Sequence, residues 1–312
     1  TGGRKRTVIL PDRVSVNGDY AWRSTPITAD RTGSYLFVST SSGVYIYPAV
    51  PAPSPPTPAH SLLNVSTRLR TQTGDNVLIG GFILQGLESK KVIIRATGPS
   101  LPLSGTLADP TLDLHNPDGT VITNDNWNEH RTAVIASGLA PSNEHEAAIV
   151  ATLQPGVYTA ILQGVGNTSG VALVEVYDLT PNSNSQITNI STRGKVEIDD
   201  NVMIAGFIIG GDQPTKVIVR ALGPSLAASK VSGVLNDTTL ELHDSNGTLI
   251  AFNDDWQSDQ EQEIKDSNLP PPDPHEAALL RTLQPGLYTA IVHGKNNATG
   301  VGLVEVYNLE TN

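Results

Sequence analysis

The residues of this chain best suited to chemistry are acidic and amide side chains crowded in front of two tryptophans. Asn124, Asp125 and Asn126 precede Trp127, and Asn253, Asp254 and Asp255 precede Trp256. Clustered carboxylate and amide oxygens in a turn are the donors that a hard cation such as Ca²⁺ requires. Asp125 and Asn126 in the first cluster, and Asp254, Asp255 and Asp259 in the second, are the candidate Ca²⁺ ligands. Asp118 and Asp244 in the preceding turns are further donors. The second cluster is favoured because Asp259, Glu261 and Glu263 add carboxylates that the first largely lacks. The spacing is not that of an EF-hand, which needs a D-x-D-x-D-G phase and a distal Glu. The same residues also fit a structural reading, with Asn and Asp capping a tight turn while Trp fills the core.

Other chemistry is weaker. His145-Glu146 and His275-Glu276 each open an HEAA run without the second His of a zinc protease. His115 and His243 occupy matching strand positions, and surface packing accounts for them. Ser100 and Ser225 sit in GPSL turns that do not match the G-x-S-x-G nucleophile elbow. No catalytic constellation emerges, so an enzyme is not expected. Arg95, Glu175, Arg220 and Glu305 lie inside apolar strand-like runs. A charge among β-branched neighbours is costly unless paired, which predicts the structural ion pairs Arg95–Glu175 and Arg220–Glu305. Six N-x-S/T sequons, at Asn64, Asn167, Asn189, Asn236, Asn246 and Asn297, are candidate glycosylation sites.

These residues sit on a duplicated frame. NVSTR at 64–68 answers NISTR at 189–193, KVIIRATGPSL at 91–101 answers KVIVRALGPSL at 216–226, and between 153–179 and 283–309 18 of 27 positions are identical. The copy-to-copy offset drifts only from 125 to 130. Copies this similar share one fold. Each reads as short Val-, Ile-, Thr- and Tyr-rich runs separated by turn residues. In the first copy these are 64–70, 77–84, 91–97, 111–115, 120–124, 147–153, 157–163 and 170–178. Eight strands in about 120 residues predict a two-sheet sandwich.

The fold class is therefore all-β: two tandem β-sandwich (jelly-roll or Ig-like) domains at 61–180 and 186–312, preceded by a short β segment at 1–50. A Pro-rich spacer at 51–60 is semi-rigid. The sandwiches are expected to follow one another as a rod. In the first 50 residues, the run at 27–47 is similar to a blade of a bacterial β-propeller. So few strands are marginal alone and need their own repeats, a larger protein or another chain's sheet edge to pair with.

The runs TLDLHNPDGTVITNDNW, LQPGVYTAILQG and GVALVEVYDL, with their counterparts in the second copy, resemble the bacterial pre-peptidase C-terminal domain. The resemblance is best over 111–179 and 239–309. It implies a compact jelly-roll-like sandwich, an extracellular setting and a binding or structural role without catalysis.

Composition narrows the partners. The net charge of −11 argues against nucleic acid, whose phosphates need a basic surface. No apolar run reaches the length of a membrane span. With no Cys there is no disulfide or thiol chemistry. TGGRKRT carries a basic patch without the apolar run of a signal peptide, as in a cytosolic chain, a processed form or a segment of a longer one. The leading expectation is an extracellular, cell-surface structural or adhesive protein that self-associates into a filament by strand pairing between subunits. The alternative is a carbohydrate- or surface-binding module of a larger secreted enzyme, which would need exposed aromatics to hold surface glycans.

Overall fold

A computed structural model describes residues 60–310 and, in backbone only, residues 27–29, 35–40 and 43–48. The chain divides into two compact units, Thr1–Pro56 and Thr57–Asn312. In the first unit, β1 (Ile27–Ala29), β2 (Tyr35–Thr40) and β3 (Gly43–Pro48) form a three-stranded antiparallel sheet in that order.

The second unit contains both copies. Copy 1 supplies β4 (Ser61–Thr71), β5 (Leu78–Gly86), β6 (Lys90–Thr97), β7 (Pro110–His115), β8 (Val121–Asn124), β9 (Ala147–Leu153), β10 (Gly156–Gly164) and β11 (Gly170–Asp178). Copy 2 repeats them as β12 (Ser185–Val196), β13 (Met203–Gly210), β14 (Thr215–Leu222), β15 (Thr238–His243), β16 (Leu249–Asn253), β17 (Ala277–Leu283), β18 (Gly286–Gly294) and β19 (Gly300–Asn308). Each expected strand of copy 1 is present, with ends shifted by at most three residues. Short helices α1 (Arg131–Ala136) and α2 (Glu261–Asp266) lie between the fifth pair of equivalent strands, β8 and β16, and the sixth, β9 and β17.

Each copy is a β-sandwich. One of its sheets runs β8-β7-β10-β5 in copy 1, the other β9-β6-β11-β4. The inner faces carry the alternation visible in the sequence: Ala172, Val174 and Val176 point to the main core, Glu175 and Tyr177 away from it.

The copies are not beads on a rod. β4 pairs with β11 of its own copy on one side and with β13 of copy 2 on the other. Reciprocally, β12 pairs with β19 on one side and with β5 of copy 1 on the other. Both layers therefore run through the boundary between copies, as β8-β7-β10-β5-β12-β19-β14-β17 and β16-β15-β18-β13-β4-β11-β6-β9. One hydrophobic cluster spans both copies, from Leu112 and Phe82 to Phe207 and Leu240. The expected rod does not form because the first strand of each copy, β4 or β12, pairs on its second edge with a strand of the other copy. An edge strand left unpaired costs its backbone groups their partners, and the neighbouring copy offers them.

Smaller clusters cover the outer faces. Trp127 packs with Ile93, Val134 and Ala148, and Trp256 with Ile218, Ile264, Ala278 and Leu280. Each Trp turn and short helix thus roofs the outer side of one half-sheet.

Candidate functional site

The acidic residues converge at one end of the β15–β16 hairpin. Asp237 precedes β15, and Asp254 and Asp255 follow β16, so strand pairing brings three carboxylates to within 4.8 Å of one another. Each has one oxygen, Oδ1, that is buried without a hydrogen-bond partner. Burial, then the neighbouring Asp254 and Asp255 charges, push the Asp237 carboxyl up, while Lys295 pulls it down. The Lys295 ammonium lies 2.8 Å from Asp254 Oδ2 and 3.5 Å from Asp237 Oδ2. The hydrogen bond to Asp254 leads in holding that ammonium's pKa up. His275 Nδ1 stands 3.8 Å from Asp255 Oδ1.

Copy 1 builds the same corner from Asp109, Asp125 and Asn126, with His145 Nδ1 3.9 Å from Asp109 Oδ1. Asp109 Oδ1 and Asp125 Oδ1 are again buried and unpartnered. Burial, then Asp109 and Glu129, raise the Asp125 carboxyl, and His145 partly offsets them. Val165 stands where copy 2 has Lys295.

The ligand set read from sequence changes accordingly. Asp237, and Asp109 in copy 1, were missed, and Asp259 is not among the converging carboxylates. Asp118 and Asp244 lie at the opposite end of the hairpin. Asp118 accepts from Thr120 N and Oγ1, and Asp244 from Asn246 N and Thr248 N; these bonds hold both carboxyls below the usual range. The leading Asn of each cluster is structural. Asn124 Oδ1 accepts from Ala148 N at 2.9 Å, and Asn253 Oδ1 from Ala278 N at 3.0 Å. These amides tie each Trp turn to the neighbouring edge strand and occupy one of its outward N–H groups.

The apolar-strand charges are paired. Arg95 Nε donates to Glu175 Oε2 at 2.9 Å, and Arg220 Nε to Glu305 Oε2 at 2.9 Å. The partners are directly opposite on β6/β11 and β14/β19. Arg95 also donates to Leu139 O and Arg220 to Leu269 O, anchoring the segment after each short helix. Tyr177 and Tyr307 donate to the other oxygen of each carboxylate, and burial with that negative charge pushes both phenols up to about 12. Each network satisfies the charge locally, as a structural pair requires.

The HEAA and GPSL motifs turn out to be one device. Glu146 is fully buried, and its Oε1 accepts from Gly98 N, Ser100 N and Ser100 Oγ at 3.0, 2.9 and 2.6 Å. Glu276 does the same for Gly223 N, Ser225 N and Ser225 Oγ. The carboxylate clamps the GPS turn, and the serine hydroxyl is spent as its donor. The pairing of these duplicated motifs was the missed signal.

His243 Nε2 lies 2.8 Å from Glu241 Oε2, a contact that leads in raising its pKa. A surface depression lined by Lys216, Glu263, Asp266, Ser267 and Leu309 holds a serine whose hydroxyl donates to Ile264 O. Asn64 and Asn189 are buried in strands and donate to Val176 O and Val306 O, so neither is accessible to a glycan in the fold. Asn167, Asn236, Asn246 and Asn297 are exposed. Trp127 and Trp256 are buried, with their indole N–H groups donated to Asn143 O and Asp273 O, and offer no sugar-stacking face. Trp22 lies outside the described residues.

Among the described residues, no helix is long and apolar enough to cross a membrane. No family model matches the chain, and no curated protein matches it. Among solved structures, a DUF4785 family protein from Legionella pneumophila aligns at a TM-score of 0.23 and 10% identity, covering 80% of this chain. The chain spans 63% of that protein's length.

Proposed function

We propose that this is a non-catalytic, extracellular structural or adhesive protein, a subunit of a cell-surface filament assembled by strand pairing between subunits. The observation that carries the reading is the chain's own construction. Its two copies are joined by reciprocal strand pairing at sheet edges rather than by a loop-mediated contact. The outer ends of the same sheets offer further edges. β8 and β16 carry exposed apolar residues, among them Val121, Leu249 and Phe252, the last 53% exposed. Edge strands are ordinarily protected by charge, and apolar ones are templates for another chain. The three-stranded sheet of the first unit supplies further edges of the kind that adds to a neighbour's sheet. The resemblance of both copies to the pre-peptidase C-terminal domain supports the extracellular setting.

In this reading Asp237, Asp254 and Asp255 hold Ca²⁺, which would satisfy their buried unpartnered oxygens and fix the hairpin end. Electron microscopy of the undenatured protein tests the assembly. Regular fibres that dissolve into monomers on deletion of residues 1–50 are expected. Dispersed monomers from the full chain, or large assemblies persisting after the deletion, overturn it. For the cation, EDTA is expected to lower the melting temperature and Ca²⁺ to restore it, and an unchanged melting curve removes the metal.

A further inference from the structure

The joint between the copies is made of equivalent residues meeting each other. Leu62 pairs with Ile187, Thr67 Oγ1 donates to Thr192 Oγ1 at 2.8 Å, Leu69 lies against Gly194, and Gln72 Nε2 donates to Glu197 Oε1 at 2.9 Å. Every pair is separated by the copy-to-copy offset of 125. Flanking contacts are reciprocal: Gly81 faces Ser191, and Gly206 faces Ser66. Residues that meet their own counterparts define a two-fold interface of the kind found in symmetric dimers.

Two of the four pairs, Leu69 with Gly194 and Gln72 with Glu197, differ strongly in size or charge, and their chemistry sets the partner. A Cβ on Gly194 would stand 2.7 Å from a methyl of Leu69, so the glycine is the hole into which that leucine fits. A joint between two copies 1 would set leucine against leucine in space for one. A joint between two copies 2 would leave a void and would set Glu197 against Glu197. Only a copy 1 with a copy 2 fits.

We infer that this seam is a keyed interface taking one copy 1 and one copy 2, and that the partner it fits is a second chain of this protein, its copy 2 joined strand for strand to the first chain's copy 1. What favours a chain's own copy is the tether, residues 179–184, which raises the local concentration of the attached copy to the millimolar range. Lys90 holds that tether bent, its ammonium bonding Thr180 O and Ser183 Oγ, both at 3.0 Å. An exchanged dimer keeps every seam contact and reopens only this bend. The inference does not depend on the filament, since two chains closing on each other form a finite dimer.

The key is testable in the full chain. Gly194→Leu makes a chain with two knobs, and Leu69→Gly one with two holes. Unfolded together and refolded, they are expected to give a 1:1 heterodimer by native mass spectrometry, because exchange restores a knob and a hole at both joints. A mixture that behaves as the sum of the two variants refolded separately overturns the inference, whether or not either folds alone. Disulfide trapping supplies a test in a nearly native seam, since the chain has no Cys. Thr67→Cys and Thr192→Cys chains refolded together are expected to form a cross-linked dimer. Thr67→Cys alone should form about tenfold less, since that link needs two copies 1. No cross-link in the mixture, or equal yields, contradicts the key.

Discussion

The two copies share a backbone plan and diverge in where they place charge. In copy 1, Lys90 Nζ lies 2.7 Å from Asp178 Oδ2, a pair that is almost completely buried. In copy 2 the same positions hold Thr215 and Asn308. At the hairpin corner the asymmetry reverses: copy 2 carries a third carboxylate and an internal cation, Lys295, while copy 1 carries Asn126 and Val165. The Arg–Glu–Tyr networks, the Glu–GPS clamps and the roofing tryptophans are the same in both. The lesson is that the duplicated elements hold each sandwich together, while the divergent ones sit at the seam between the copies, at the tether and at the hairpin corner. A buried ion pair beside the tether fits this division, since such pairs fix geometry more than they add stability.

Large-to-small substitution in the roof should show the sameness. Trp127→Ala and Trp256→Ala are each expected to cost about 3–5 kcal/mol, the usual range for a buried Trp. Denaturant unfolding checks this, and a large cost in one copy with almost none in the other would break the equivalence. The tether pair should show the difference. Lys90→Thr or Asp178→Asn alone strands a buried charge or its donor and is expected to cost about 3 kcal/mol or more. The double variant reproduces the chemistry of copy 2 and should recover most of that loss. A double variant as unstable as the sum of the singles would show that copy 1 cannot accept the copy 2 solution.

Glu146→Gln and Glu276→Gln retain size but weaken the clamp on the GPS turns. Each is expected to cost about 1.5–3 kcal/mol, the range for hydrogen bonds to a charged group, with hydrogen exchange rising at Ser100 or Ser225 respectively. Faster exchange in the turn of the unmutated copy instead would sink the clamp assignment.

The smallest effect concerns pH. The Asp125 carboxyl is raised in the fold, so protonation favours the folded state. Its stabilising contribution is full below the unfolded carboxylate pKa and is lost as pH rises through the folded value. Val165→Lys installs the cation of copy 2 beside it and should flatten this loss across the acid range. A melting temperature that falls with pH as steeply in the variant would show that a lysine at this position does not offset the burial and the neighbouring charges that raise Asp125.

Much of this was legible in the sequence. The strands followed from β-branched runs between turn residues, and the Arg–Glu pairs from the cost of a lone charge in an apolar strand. What escaped involved two segments at once. The cross-copy pairing was hidden because β4 and β12 each satisfy one edge within their own copy, and the sequence pattern does not say what occupies the other. Asp237 lies 17 residues before Asp254. Only the closing of the β15–β16 hairpin unites them, whereas Asp259 looked closer because it is near in sequence. Asn64 and Asn189 matched a sequon, but their side chains are buried and bonded to the backbone of neighbouring strands, which leaves no room for a glycan.

The central claim is that both copies form one continuous structure. Differential scanning calorimetry of the full chain, with and without Trp256→Ala, tests it most directly. The account predicts that the two copies melt in a single transition that moves down as a whole when only copy 2 is damaged. Two transitions for the copies, of which the substitution moves only one, would contradict it and return them to independent domains on a string.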